Sequence, residues 1–114
     1  MEIMGSAFYG CSSLTSITIP ESVTMIGWNT FSGCTGLTSI IVSKGNKKYD
    51  SRENCNAIIE TETNTLIQGC NTSFIPDSVA KIGEFAFKNC EELTSIVIPD
   101  SVESIGLGVF KNCI

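Results

Sequence analysis

The sequence contains no histidine, which removes the commonest general base and the commonest metal ligand. Basic residues are also few: seven Lys+Arg against twelve Asp+Glu leave a net charge of −5. Such a chain lacks the positive face that a phosphate backbone demands, so no nucleic-acid partner is expected. The basic residues gather only at Lys44, Lys47, Lys48 and Arg52. No apolar run approaches about 18 residues, so no membrane insertion is expected. The opening Met-Glu-Ile-Met-Gly-Ser has neither a basic start nor a long apolar stretch, and the chain reads as carrying no secretory signal. G-x-S-x-G, P-loop and H-E-x-x-H motifs are absent, and Gly106-Leu107-Gly108 reads as a structural corner. Serines and threonines lack a histidine to activate them. Asp50, Glu60, Glu62, Glu91 and Glu92 read as solubilising surface charge, not as a catalytic carboxylate pair. The expectation is therefore no enzyme, no catalytic residues, no cofactor and no metal site.

What the chain does have is a repeat. Ile3-Met4-Gly5-Ser6-Ala7-Phe8-Tyr9-Gly10-Cys11, Leu14-Thr15-Ser16-Ile17, Ile19-Pro20 and Ser22-Val23 form one unit. Ile82-Gly83, Phe87, Cys90, Leu93-Thr94-Ser95-Ile96, Ile98-Pro99 and Ser101-Val102 write it again. A further copy starts at Ile26-Gly27 with Phe31, Cys34 and Leu37-Thr38-Ser39-Ile40, and a last one at Ile105-Gly106 with Phe110 and Cys113. Cys11 to Cys34 and Ile82 to Ile105 are each offset by 23 residues, whereas Val42 to Ile75 is offset by 33. The third turn thus carries about ten extra residues.

A 23-residue period lies in the leucine-rich-repeat range. Leu14, Ile17 and Ile19 have the spacing of a short strand, ended by Pro20, which cannot donate to a ladder. Val23 and Ile26 return across a second face, with Gly27 at a tight corner. Ala7-Phe8-Tyr9-Gly10-Cys11 suits one helical or 3₁₀ turn. No turn buries its apolar face alone, so neighbours must stack. The predicted fold is an α/β leucine-rich-repeat right-handed solenoid, β-rich, with short parallel strands, helical or 3₁₀ turns and one inserted β-hairpin. It forms a single domain, 1–114, with repeats at about 3–25, 26–81 (hairpin near 43–70), 82–104 and a partial 105–114. The predicted core is Phe8, Phe31, Phe87, Phe110, Leu14, Leu37, Leu93, Ile17, Ile40, Ile96 and the cysteine ladder Cys11, Cys34, Cys90 and Cys113. These cysteines read as free core thiols, because ladder positions stack along an axis instead of converging on a metal.

The pattern Ile-Gly-x-x-x-Phe-x-x-Cys-x-x-Leu-Thr-Ser-Ile-x-Ile-Pro-x-Ser-Val resembles the BspA-type bacterial surface leucine-rich-repeat family over nearly the whole chain. The central Gly45-Asn46, Tyr49-Asp50-Ser51, Asn54-Cys55-Asn56-Ala57-Ile58-Ile59-Glu60 and Gly69-Cys70 look similar to such proteins too. The resemblance implies a secreted or cell-surface protein working in adhesion, with host or bacterial extracellular proteins or glycans as partners. An architectural spacer within a longer surface protein, with no ligand of its own, is the alternative.

The insert is polar from Ser43 to Asn54 and then β-prone at Ala57–Glu60 and Thr65–Gln68, about a Thr/Asn turn. If Ile58 faces Ile67 and Ile59 faces Leu66, Cys55 faces Cys70, either as a cross-strand disulfide or as two packed thiols. Outward strand positions are Ser16 and Thr18, Ser39 and Ile41, Thr72 and Phe74, Ser95 and Val97. The column Thr18, Ile41, Phe74 and Val97 lines up three apolar side chains on the concave face and is the candidate partner-binding surface. The competing reading folds the hairpin over it, or turns Phe74 inward because Ser73 replaces the usual isoleucine. The chain starts at one corner and stops inside another turn, so truncated, uncapped ends and self-association through them are expected.

Overall fold

The computed structural model describes residues 2–3, 13–26, 36–88, 90, 93, 96–106 and 108–109. Phe8, Phe31, Phe110, Cys11, Cys34, Cys113 and Ser95 lie outside them. The strands are β1 (Glu2–Ile3), β2 (Ser16–Ile19), β3 (Met25–Ile26), β4 (Ser39–Val42), β5 (Tyr49–Asp50), β6 (Ile58–Glu60), β7 (Thr65–Gln68), β8 (Lys81–Ile82) and β9 (Ser104–Ile105).

The 23-residue period becomes strand register. Strand β2 runs parallel to β4 with Ile17 opposite Ile40 and Ile19 opposite Val42. On the second face, β1 pairs β3 with Ile3 opposite Ile26, and β8 pairs β9 with Ile82 opposite Ile105. These three pairs are parallel and offset by one repeat of 23 residues. The second-face glycine is explained by close approach of successive turns. A Cβ on Gly106 would lie 2.6 Å from Glu84 N and 2.8 Å from the Gly83 carbonyl carbon.

The expected helical turn is different in the copy that can be followed. Ala86 N–H donates to Gly83 O, Lys88 N–H to Phe85 O and Cys90 N–H to Phe87 O, a run of tight turns. Phe85 stands at φ 58, and Gly108, one repeat later, at φ 64. One left-handed residue at that position ends helical propagation, at a strain of about 1–3 kcal/mol for a bulky side chain.

The insert forms the sheet β5-β6-β7-β8-β9, antiparallel through β5, β6 and β7 and parallel from β7 onward. The predicted hairpin is present, but its register differs. Ile59 faces Leu66 as expected, whereas Ile58 faces Gln68 and not Ile67, because a bulge falls between Ile58 and Ile59. Consecutive Ile58 and Ile59, both fully buried, then belong to different cores. Ile59, Cys55 and Leu66 pack with Phe87, Val79 and Ile82. Ile58 and Cys70 pack with Tyr49, Leu37, Ile40 and Val23. The hairpin is a wall between two cores, so Cys55 and Cys70 fall on opposite sides of it. Both are free thiols.

The wall fills space that the third turn leaves. Cys70 occupies the place of Leu37, and Ser73 that of Ile40, each 33 residues on. Both are smaller, and Ile58 and Tyr49 supply the missing volume. Of the predicted core, Phe87, Leu37, Ile40 and Cys90 are buried, while Leu14, Ile17, Leu93 and Ile96 are only partly buried against it. Burial pushes the Cys55 thiol up to about 11, so little thiolate exists near neutrality. Cys55 is therefore expected to resist alkylation at pH 8 in the native protein and to react on unfolding. Peptide mapping after iodoacetamide treatment reads this directly.

Candidate functional site

The predicted column is exposed at all four positions. Thr18 lies opposite Ile41 in the β2–β4 ladder, and Ile41, Phe74 and Val97 keep 51%, 45% and 81% of their surface in solvent. Ile40 and Val42 are buried on either side of Ile41 in β4, and Ser73 and Ile75 on either side of Phe74, which lies in no strand, whereas Val97 stands between a half-buried Ile96 and an exposed Ile98. The competing reading, in which Phe74 turns inward, does not occur. Ser73 stays inside because its polar atoms are satisfied. Its hydroxyl accepts from Cys70 N–H at 2.8 Å and donates to Asn56 O. The column is not one continuous ladder, however. Phe74 N–H donates to Cys55 O at 3.2 Å, and Val42 N–H donates to the Ser51 hydroxyl at 2.9 Å. Residues of the insert thus take backbone bonds that a neighbouring strand would otherwise make. Asn56 Nδ2 reaches the Thr72 hydroxyl at 3.2 Å, and that hydroxyl in turn reaches Thr38 O.

Two polar clusters that the repeat pattern alone did not single out hold the insert. Asn46, at the place of Val23 and Val79, is buried. Its Nδ2 donates to Pro20 O and Val23 O, both at 2.9 Å. Its Oδ1 accepts from Lys48 N–H and Tyr49 N–H, both at 2.8 Å. The only sequence signal was an amide where its counterparts are valine. Tyr49, at the place of Ile26, accepts from Ile26 N–H through its hydroxyl at 3.2 Å.

The second cluster centres on Asp50 and Arg52. Arg52 Nε and Nη2 each donate to the Asp50 carboxylate at 2.7 Å, a bidentate pair. Arg52 Nη1 continues to Asn64 Oδ1 at 2.8 Å and to the Ser78 hydroxyl at 3.0 Å, and Thr61 donates to Asp50 at 2.7 Å. Burial pushes the Asp50 carboxyl up, but the Arg52 side chain, the Thr61 hydroxyl and the Arg52 N–H together hold it below its ordinary value. The folded pKa is thus below the unfolded one, so this stability is complete above about pH 4 and is lost as pH falls through the folded value. Asp50→Asn is expected to be less stable than the parent at pH 7, the gap closing below pH 4. Urea midpoints across that range test it, and a gap independent of pH would contradict it.

Among the described residues no group of histidine, cysteine and acidic side chains could hold a metal ion, and no helix is long and apolar enough to cross a membrane. Residues 63–114 match the family described as BspA type leucine-rich-repeat region, six copies. The C-terminal half of the chain therefore carries the BspA-type repeat. A leucine-rich cell-surface protein from Faecalibacterium prausnitzii is 38% identical, with a TM-score of 0.79 over 98% of this chain and 30% of that one. A leucine-rich-repeat protein from Eubacterium ventriosum is 25% identical, with a TM-score of 0.75 over 89% of this chain and 28% of that one. The pneumococcal vaccine antigen PcpA, at 23% identity and a TM-score of 0.75, covers 89% of this chain and 26% of its own and shares the fold. A comparison with curated proteins gives no match. The chain therefore spans less than a third of those three structures.

Proposed function

We propose that this chain is a non-enzymatic recognition module of a cell-surface or secreted protein. Its stacked turns form part of a right-handed solenoid, and it binds extracellular proteins through the strand face. The observation that carries this reading is the exposed apolar set Ile41, Phe74 and Val97. Single exposed apolar residues are ordinary, but three at the same place in successive repeats, an aromatic among them, support an interaction surface. The family match and the cell-surface relative support the location.

Replacing Ile41 and Phe74 together by serine is expected to abolish capture of extracellular-matrix proteins while leaving thermal melting within a few degrees. Melting collapse with the double substitution would assign these side chains to the core instead. The spacer alternative is favoured by the small share of the relatives' length that this chain covers. It predicts no capture by this chain at all, with binding restored only in the longer protein.

A further inference from the structure

Apart from the strand face, the corner between the first two turns carries a groove of about 650 Å³, within the range of small-ligand sites. One wall is Glu21–Thr24 and the other is Gly45, Lys47 and Lys48. At this corner the second turn departs from the repeat at four consecutive positions. Pro20-Glu21-Ser22-Val23, Pro76-Asp77-Ser78-Val79 and Pro99-Asp100-Ser101-Val102 become Ser43-Lys44-Gly45-Asn46. Each change bears on the groove. Gly45 removes the serine side chain that at Ser101 crosses to the preceding turn, donating to Val79 O at 2.8 Å. Asn46 makes that crossing from the buried side instead and fixes both walls through four hydrogen bonds. Lys44 replaces an acidic residue, and together with Lys47 and Lys48 it concentrates positive charge in a chain of net −5.

The chemistry at the walls is of two kinds. Lys48 is engaged with Glu60 at 3.5 Å, whereas Lys47 has no ion-pair partner among the described residues. The N–H groups of Gly45 and Lys47 likewise find no acceptor among the described residues. Facing them, the Glu21 carboxylate reaches over Gly45, close enough that a Cβ there would stand 2.0 Å from Glu21 Oε2. An ammonium and free N–H donors suit an anionic group, while a carboxylate acceptor suits hydroxyl donors. A purely acidic peptide satisfies the first and is repelled by Glu21. A neutral sugar satisfies the second and leaves Lys47 unused. A free amino acid carries both charges but would fill only a small part of the volume.

We propose that this corner groove binds an acidic saccharide, its carboxylate on the Lys47 ammonium and N–H, and its hydroxyls on Glu21. The site is separate from the apolar strand face, so it can fail or hold independently of the proposed protein capture.

Isothermal titration of the whole chain with a galacturonic-acid trimer, a neutral galactose trimer and a hexaglutamate peptide tests the assignment. Saturable binding of the acidic trimer alone, weakening as salt is raised, is expected. Lys47→Ala should weaken it roughly tenfold or more, since a charge-assisted hydrogen bond is lost. Gly45→Ser restores the residue of the other corners and should close the groove without changing the melting temperature. No binding of the acidic trimer, or equal binding of the neutral one, would overturn the proposal. Tighter binding of hexaglutamate would overturn it in favour of an acidic peptide. Lys47 is exposed, so its variant is expected to fold, and unchanged affinity in Lys47→Ala would likewise overturn the assignment.

Discussion

Phe87→Ala is expected to lower the unfolding free energy by about 3–5 kcal/mol, the usual cost of deleting a buried aromatic. Phe87 is fully buried and packs with residues from the insert and from the turns on either side of it. Its seat is Gly69: a Cβ there would stand 2.1 Å from Phe87 Cε1. Gly69 N–H donates to Ala86 O and Phe87 N–H to Val109 O, so the backbone around the ring is tied to neighbouring segments and cannot easily collapse into the void. Chemical denaturation of the variant measures the loss, and a cost below about 1 kcal/mol would mean that the ring is not the centre of that core.

Asn46→Val is expected to destabilise the protein by about 2–4 kcal/mol, although valine stands at this place in the other turns. The substitution leaves the Tyr49 N–H and the Val23 carbonyl, both in buried bonds, and the partly buried Lys48 N–H without their partner, while Pro20 O keeps the Val23 N–H. Each buried polar group left without a partner costs about 1–3 kcal/mol, and the added apolar contact offsets part of the sum. Asn46→Asp should also be destabilising, since a carboxylate cannot donate to the two carbonyls. A variant as stable as the parent in urea would show that repeat regularity, not the amide network, holds the insert to the first turn.

The comparison of Asn46 with Ser73 explains where pattern reading succeeds and where it stops. At both positions a polar residue replaces an aliphatic one on an inward-facing place. Pattern reading offered an inward turn of Phe74 as the consequence at Ser73, yet Ser73 stays buried, bonded to Cys70 and Asn56. Inward polar residues are tolerated when each donor and acceptor finds a partner, and the partners here come from the insert and the preceding turn. Cys70, Lys48 and Tyr49 are within three residues, but Asn56, Pro20 and Val23 are 17 to 26 residues away, and no local pattern announces those. The same holds for Cys55 and Cys70. Their apparent pairing rested on an unbroken hairpin register, and one bulged residue at Ile67 sends them to different cores.

The sequence by itself determined the repeat, its 23-residue offset, the parallel register of β2 with β4, and the inward–outward alternation about Ile41 and Phe74. These follow from period and side-chain polarity, which act within one turn and its neighbour. It also located the ten extra residues and their hairpin. Only the tertiary structure decided what that hairpin does: it divides the interior in two, fills the space left by Cys70 and Ser73, and holds to its neighbours through Asn46 and Arg52. Those outcomes depend on volume and hydrogen-bond partners supplied from residues tens of positions away, and such matches exist only once the turns are stacked.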